Sequence, residues 1–499
     1  MAVVYNRAMV RREQTPAYSV WGASGALFFV AWLSPALWWL CIPATVLFLY
    51  AAKSAPHAVN ALWGSWIAGT LKVGGATLWF FSMYPLTWSG IHAPFVQVLI
   101  ISVYWLGVAA ALGFGMVLPG VGMFFLHRYE RVSLSVFPIL FTAGEVLGSW
   151  CFSLYSLGEG SVPSLHFGFG YVGFLIAGLH VVTPVAALAG VYGLSAAVAL
   201  MSTTLFVSLR YAPARWHVLG GSLITFCILA VITVSYIAPR TAQDIGVTVT
   251  AIETNFASES SEEGSDLAAT KAAAVRTAVD AAVHTRADYI LLPEDARLTE
   301  AYDTPAATLS ALRELTSKGT VIDTSRWTDE RGRTVLRAFY YDLAANRVYA
   351  ADKQYLVPQG EFVPYLILLL AGRSEILAHI AQDQNYVRGA AREDVTLPAT
   401  YPGLLFCSEG VSPYLARSIS STRTIPLILH PVSHARFHDS ALLARELDAM
   451  LRVSAMWSNR TIVSAGNMAT GKAYRPDGTT QYGVVTAEHP QWRLVEYTL

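Results

Sequence analysis

Residues 351–370 read "ADKQYLVPQGEFVPYLILLL": Lys353 stands near Asp352 and Glu361, two prolines and a glycine follow, and the stretch ends in leucine and isoleucine. Pro358 and Pro364 fix backbone torsions and Gly360 relieves them, so the segment is a rigid loop. It closes the hairpin pattern "YYDLAANRVYAADK" at 340–353. A charged loop at the end of a strand is a rigid support for reactive groups, and here it runs straight into an apolar segment.

Working outward, short β-like runs alternate with helical ones. The runs are "GVTVTAIE" (246–253), "DYILLPE" (288–294), "GTVIDT" (319–324), "TVLRAFYYD" (334–342), "NRVYAAD" (346–352), "GLLFCSE" (403–409), "TIPLILH" (424–430), "RTIVSAGN" (460–467) and "QYGVVTAEH" (481–489). Helical periodicity covers 265–286 and 440–456, and the polar "ASESSEEGSD" at 257–266 reads as a solvated loop. Strands mixed with helices predict an α/β layered domain over 241–499.

The preceding half is different in kind. Only 14% of the 499 residues are charged, against about 25% in an average soluble protein. Residues 1–240 hold 10 Lys and Arg and 4 Asp and Glu, whereas the remaining 259 hold 24 and 30. A +6 half is thus joined to a −6 half, and the absence of a basic face on the latter argues against a nucleic-acid partner. The uncharged stretch 18–52 suits two spans divided near Pro35 and Pro43. Further apolar runs at 61–84, 95–125, 134–155, 183–208 and 217–238 bring the expectation to about seven membrane spans, with 1–240 as a transmembrane bundle. The first run is read as a retained anchor rather than a cleaved signal, since no small-residue cleavage site follows it.

With the N-terminus inside, Arg7, Arg11, Arg12, Lys53, Arg128, Arg131, Arg210 and Arg215 all fall in cytoplasmic segments. An odd number of spans then delivers the α/β half to the far side, the periplasm of a Gram-negative cell. Two charges lie in or near apolar runs: Lys72 is read as snorkelling, and Glu145 as a group that pairs inside the bundle or serves a substrate. Cys41, Cys151 and Cys227 sit in apolar runs and Cys407 stands alone in the α/β half, so no disulfide framework is implied.

Three strand ends carry chemistry. Glu294 follows "YILLP", Lys353 ends the hairpin, and Cys407 follows "GLLF". An acid, an amine and a thiol make a complete nucleophilic set. Glu294 removes the thiol proton, Cys407 attacks a carbonyl, and Lys353 favours the thiolate and the developing oxyanion. The backbone N–H of Ser408, the residue after the nucleophile, is a second oxyanion donor. His430, His434 and His438 are four apart, but Pro431 and the β-like "PLIL" argue against a helical metal face, so no metal is expected.

"LLPEDA", "DKQYLVPQGEFVP" and "LLFCSEG", in that order, resemble the Glu, Lys and Cys motifs of the nitrilase (carbon–nitrogen hydrolase) superfamily. The long lysine motif and "SWCFS…LHFGFGY…AGVYGLSAAVAL" are similar to the apolipoprotein N-acyltransferase family, and the resemblance covers nearly the whole chain. It implies a polytopic helical membrane bundle followed by a nitrilase-like αββα sandwich, with Glu294 as base, Lys353 as oxyanion stabiliser and Cys407 as nucleophile. Glu361 and Glu409 are implied as supporting carboxylates near the thiol; bracing of the loop by Glu361 and a helix-start charge for Glu409 are the structural alternatives. This chain departs from the family in carrying Ser408 where an aromatic residue is common, and "WRLVEYTL" at 492–499 is not the apolar span that family members carry at their end.

The run Tyr365, Leu366, Leu368 and Leu370 is read either as a core helix or as an apolar lid dipping into the bilayer to admit an acyl chain. The resemblance implies acyl transfer from a phospholipid, through a Cys407 thioester, to the N-terminal amine of a diacylated apolipoprotein in the inner membrane, with no cofactor. A membrane-tethered amidase or nitrilase and an inactive lipoprotein-binding homologue are the alternatives.

Overall fold

The computed structural model describes residues 18–86, 89, 91–210, 244–257, 264–294, 296–328, 332–371, 386–389 and 397–499; the expected span at 217–238 and Cys227 lie outside them. The first half is helical: α1 (Tyr18–Leu33), α2 (Cys41–Ser54), α3 (Ala58–Ala76), α4 (Pro94–Gly113), α5 (Val117–Phe125), α6 (Glu130–Tyr155) and α7 (Thr183–Arg210). The segments Pro35–Ser54, Pro94–Arg128, Glu130–Tyr155 and His180–Arg210 are long and apolar enough to cross a membrane, and Tyr18–Leu33 is a shorter apolar helix. Side chains of Phe28, Phe48, Phe137 and Phe141 pack ring against ring at the centre.

The expected single run at 95–125 is broken by a 3-10 turn at Phe114–Met116. The cause is close backbone packing. A Cβ on Gly113 would collide with the backbone of Gly69 and Thr70 in α3, and one on Gly115 with that of Gly144 and Gly148 in α6. Small residues at such contacts let membrane helices approach and replace the hydrophobic drive that lipid cannot supply.

The α/β half contains β1 (Thr248–Thr254), β2 (Tyr289–Leu291), β3 (Thr320–Thr328), β4 (Thr334–Asp342), β5 (Arg347–Asp352), β6 (Gly403–Leu404), β7 (Leu427–Ser433), β8 (Thr461–Asn467), β9 (Ala473–Tyr474), β10 (Thr480–Gln481), β11 (Val484–His489) and β12 (Trp492–Thr498). β12 pairs antiparallel with β1 along its whole length, and β1 pairs parallel with β2. β1 meets β8 only at Thr254 and Asn467, where the two halves of the sheet join. "WRLVEYTL", which carries no signal of an apolar span, is therefore an interior strand, with Trp492, Leu494 and Tyr497 buried.

Strand alternation then builds the layers. Ile252, Ile290, Val321, Phe339 and Tyr341 face the helices α8 (Gly264–Val283) and α9 (Pro305–Leu315). Their neighbours Ala251, Leu291, Ile322, Ala338 and Tyr340 face Leu427, Leu429, Val463 and Ala465 of the other half-sheet. Ile428 and Ile462 face outward to α11 (Leu415–Ser420) and α12 (Ala441–Ser458). A period of two, buried on both faces, gives an αββα sandwich, and each large apolar side chain contributes about 1.5–3 kcal/mol.

α12 joins the halves. Its Leu451 and Ala455 pack on the sheet, while Leu443, Leu447, Met450, Val453 and Met456 enter the core of the helical bundle. α7 bends to receive it at Gly190, whose φ of +59° is one that residues with side chains rarely adopt and where an added Cβ would fall 2.5 Å from Trp457 Cε3.

Candidate active site

The expected residues converge from three strand ends. Lys353 continues β5, its N–H donating to Leu336 O, and Arg337 holds the preceding Asp352 through Nε–Oδ1 and Nη2–Oδ2 contacts of 2.6 and 3.0 Å. Its ammonium, fully buried, lies 3.0 Å from Glu294 Oε1 and 2.5 Å from Glu361 Oε1. Cys407 begins a 3-10 turn, Cys407–Val411, after β6; its thiol donates to Ser433 O at 3.8 Å and feels the charges of both Glu294 and Lys353.

One ammonium thus faces two carboxylates and a thiol. Burial works against the Lys353 charge, but Glu294 and Glu361 outweigh it and hold the amine above the ordinary lysine range. Burial raises the Glu294 carboxyl above the usual carboxylate range; Lys353 opposes this and Glu361 adds to it. Burial, then the Glu294 charge, raises the Cys407 thiol well above its ordinary value, with Lys353 pulling the other way. The cluster thus sets a thiol, two carboxyl groups and one ammonium in a single buried site.

The two outer carboxylates differ. Glu361 touches Lys353 and also accepts the Val357 N–H at 2.8 Å, so it both charges and braces the loop. Glu409 accepts N–H groups from Gln354 (2.8 Å), Tyr355 (3.3 Å) and Phe406 (3.2 Å), and so splints the lysine loop to the cysteine turn. Ser408 Oγ donates to Tyr355 O at 3.2 Å, a second tie between the same two loops.

His430 belongs to this site and was not read as part of it from sequence. It lies in β7, a strand, which removes the helical histidine face. Its Nε2 is 3.0 Å from Cys407 O and its Nδ1 2.9 Å from Ser464 Oγ. A carbonyl only accepts, so the proton sits on Nε2, and burial pushes the ring down to about 4, which keeps it neutral. Its signal in the sequence was a polar residue inside the apolar run "LILHPV", a position that in a buried strand must find a partner. His434, at the end of the same strand, is buried and also pushed down to about 4, first by desolvation. His438 lies in a left-handed turn and its Nε2 reaches Pro85 O at 3.2 Å.

α10 (Tyr365–Ala371) carries the apolar run. The core-helix alternative fails: Tyr365 is 52% exposed, Leu368 40% and Leu369 78%, with Leu366 also exposed. Leu370 lies on the same helix, and Tyr365 N–H donates to Leu157 O of the helical half at 2.8 Å. Lys72 does not snorkel; it is buried and pairs with Glu145 at 2.5 Å.

No family model matches the sequence, and none of the curated proteins is similar to it. Among solved structures, the chain is similar to a carbon–nitrogen hydrolase from Helicobacter pylori G27, at 11% identity and a TM-score of 0.35, over 51% of this chain and 90% of that one. It is also similar to an amidase mutant from Nesterenkonia sp. AN1 with an acetamide moiety covalently added at the active site cysteine, at 14% identity and a TM-score of 0.34, over 51% and 92%.

Proposed function

We propose that this protein is a membrane acyltransferase that moves a fatty acyl group from a phospholipid to the N-terminal amine of a diacylglyceryl-cysteine lipoprotein. The observation that carries the reading is the placement of Lys353, which gathers Glu294 and Cys407 around it, twelve residues along one rigid loop before Tyr365, the start of an exposed apolar helix that is hydrogen-bonded to the membrane half. An enzyme for small soluble amides has no use for that helix. The resemblance of the three motifs to the nitrilase superfamily, and of the long lysine motif to its lipoprotein-acylating branch, agrees with it.

In the first half-reaction Glu294 takes the Cys407 proton and the sulfur attacks the ester carbonyl. Lys353 balances the negative charge on the tetrahedral oxygen. Collapse breaks the ester C–O bond, and Glu294 returns the proton to the leaving alkoxide, releasing lysophospholipid and leaving a thioester. In the second half-reaction the lipoprotein amine attacks the thioester and Glu294 accepts its proton; collapse breaks the C–S bond, Glu294 returns the proton to the Cys407 sulfur, and the amide leaves. His430 fixes the Cys407 carbonyl throughout. We place the catalytic half in the periplasm and the chain in the inner membrane, from the distribution of Lys and Arg.

The test is mass spectrometry of Cys407 and of a diacylated lipopeptide, using purified protein, phospholipid and detergent. Transfer gives an acyl adduct on Cys407 without acceptor, and with acceptor a gain of one acyl chain on the lipopeptide. Free fatty acid released at the same rate with and without lipopeptide assigns a hydrolase instead, and no adduct assigns a non-catalytic binding role.

A further inference from the structure

Between α6 and α7 the chain runs for 27 residues, 156–182, with no α-helix, alongside a helix apolar enough to span a membrane. Irregular backbone in such company needs partners for its N–H and C=O groups. α6 supplies them from one stripe, since residues four apart share a helix face. Glu145 Oε1 accepts the Val172 N–H at 2.8 Å. Ser149 Oγ donates to Phe167 O at 2.6 Å and lies 3.0 Å from Tyr171 Oη. Ser153 Oγ accepts the Ser164 N–H at 2.8 Å. All three are buried, and Lys72 of α3 neutralises the one charge among them.

The far side of the held segment touches the catalytic loops. The His166 ring stacks on Tyr355, with centroids 4.4 Å apart and planes 8° from parallel. Tyr355 is the residue whose N–H reaches Glu409 and whose carbonyl accepts from Ser408. Gly168 lies so close to Pro413 and Val411, at the end of the cysteine turn, that an added Cβ would fall 2.8 Å from Pro413 Cγ.

We infer that Glu145, Ser149 and Ser153 are positioning residues for the nucleophile, acting through segment 162–172, whose His166 and Gly168 hold the lysine loop and the cysteine turn in register. The inference rests on the reading of Cys407 as nucleophile and goes beyond it by assigning part of the site's alignment to a membrane helix.

Peptide-resolved mass spectrometry of Cys407 alkylation by iodoacetamide tests it, on the full chain in detergent at pH 8 without acyl donor. Ser149→Ala and His166→Ala should each slow alkylation about 5-fold or more. The double variant should be no slower than the slower single one, because both break one chain of contacts. Thr142→Val, whose hydroxyl bonds only within α6 to Pro138 O, is the control and keeps the wild-type rate. A rate at or above wild type in either single variant, or effects that multiply, overturns the proposal. If Ser149→Ala does not fold, His166→Phe against His166→Ala decides: Phe keeps the stack and restores the rate, and equal slowing by both overturns the proposal. Acyl transfer plays no part in this readout, so its failure leaves the proposed function standing, and a negative transfer assay leaves this coupling standing.

Discussion

The molecule buries two lysines completely, one in each half, and surrounds them differently. Lys72 meets one carboxylate, Glu145, and the remaining contact of that oxygen is a backbone N–H. Lys353 meets two, Glu294 and Glu361, and the Cys407 thiol feels the charges of Lys353 and Glu294. The first set places one cation against one carboxylate, through a single oxygen, and leaves Glu145 Oε2 buried without a hydrogen-bond partner. The second sets two carboxylates against one ammonium: burial lifts the Glu294 carboxyl, Lys353 opposes the lift and Glu361 adds to it. A balanced ion pair holds structure in place; an unbalanced one is prepared for charge to move.

The largest effects should come from the unbalanced set. Cys407→Ala should abolish the acyl adduct, and Glu294→Gln or Lys353→Met should slow its formation by about 100- to 10,000-fold, up to about 5 kcal/mol. No second substitution at the site should restore it. Adduct formation persisting in Cys407→Ala would move the chemistry elsewhere.

The balanced pair should behave in the opposite way. Lys72→Met leaves Glu145 buried without its cation, at a cost of about 3–5 kcal/mol, and should lower the melting temperature in detergent. Adding Glu145→Gln removes the stranded charge, keeps an acceptor for Val172, and should recover most of that loss. A double variant as unstable as the single one would mean that the pair's worth lies in more than charge balance.

Two of the buried histidines, His430 and His434, give a pH test. The folded state holds both near 4, below the unfolded value of about 6.5. The stability they contribute is therefore complete above pH 6.5 and is lost as pH falls toward 4, by up to about 3 kcal/mol each. His430→Gln, which keeps a donor for Cys407 O, should flatten the acid slope of the melting temperature by about half. An unchanged slope would place the proton uptake elsewhere.

The smallest effect concerns α10. Leu368→Asp should weaken phospholipid use about 10-fold and spare a short soluble ester, because the change touches an exposed apolar face rather than the charged cluster. Equal loss with both donors would defeat the lid reading.

Sequence by itself determined much of this. Apolar runs broken by arginine-rich loops set out the helical half, since a span must be about 20 apolar residues whatever it packs against. Period-two runs marked most strands, and polar residues at their ends marked Glu294, Lys353 and Cys407. What it left open were facts of long-range contact. The pairing of Lys72 with Glu145 joins residues 73 positions apart, and the role of β12 depends on pairing with β1, some 240 residues earlier. The role of His430 stayed open while Cys407 O, 3.0 Å away in space and 23 positions away in the chain, was out of view. Local pattern reports which face a residue prefers and what chemistry it carries; only the folded chain decides what that face meets, because the partner of a buried charge or ring is chosen by packing and not by neighbours in sequence.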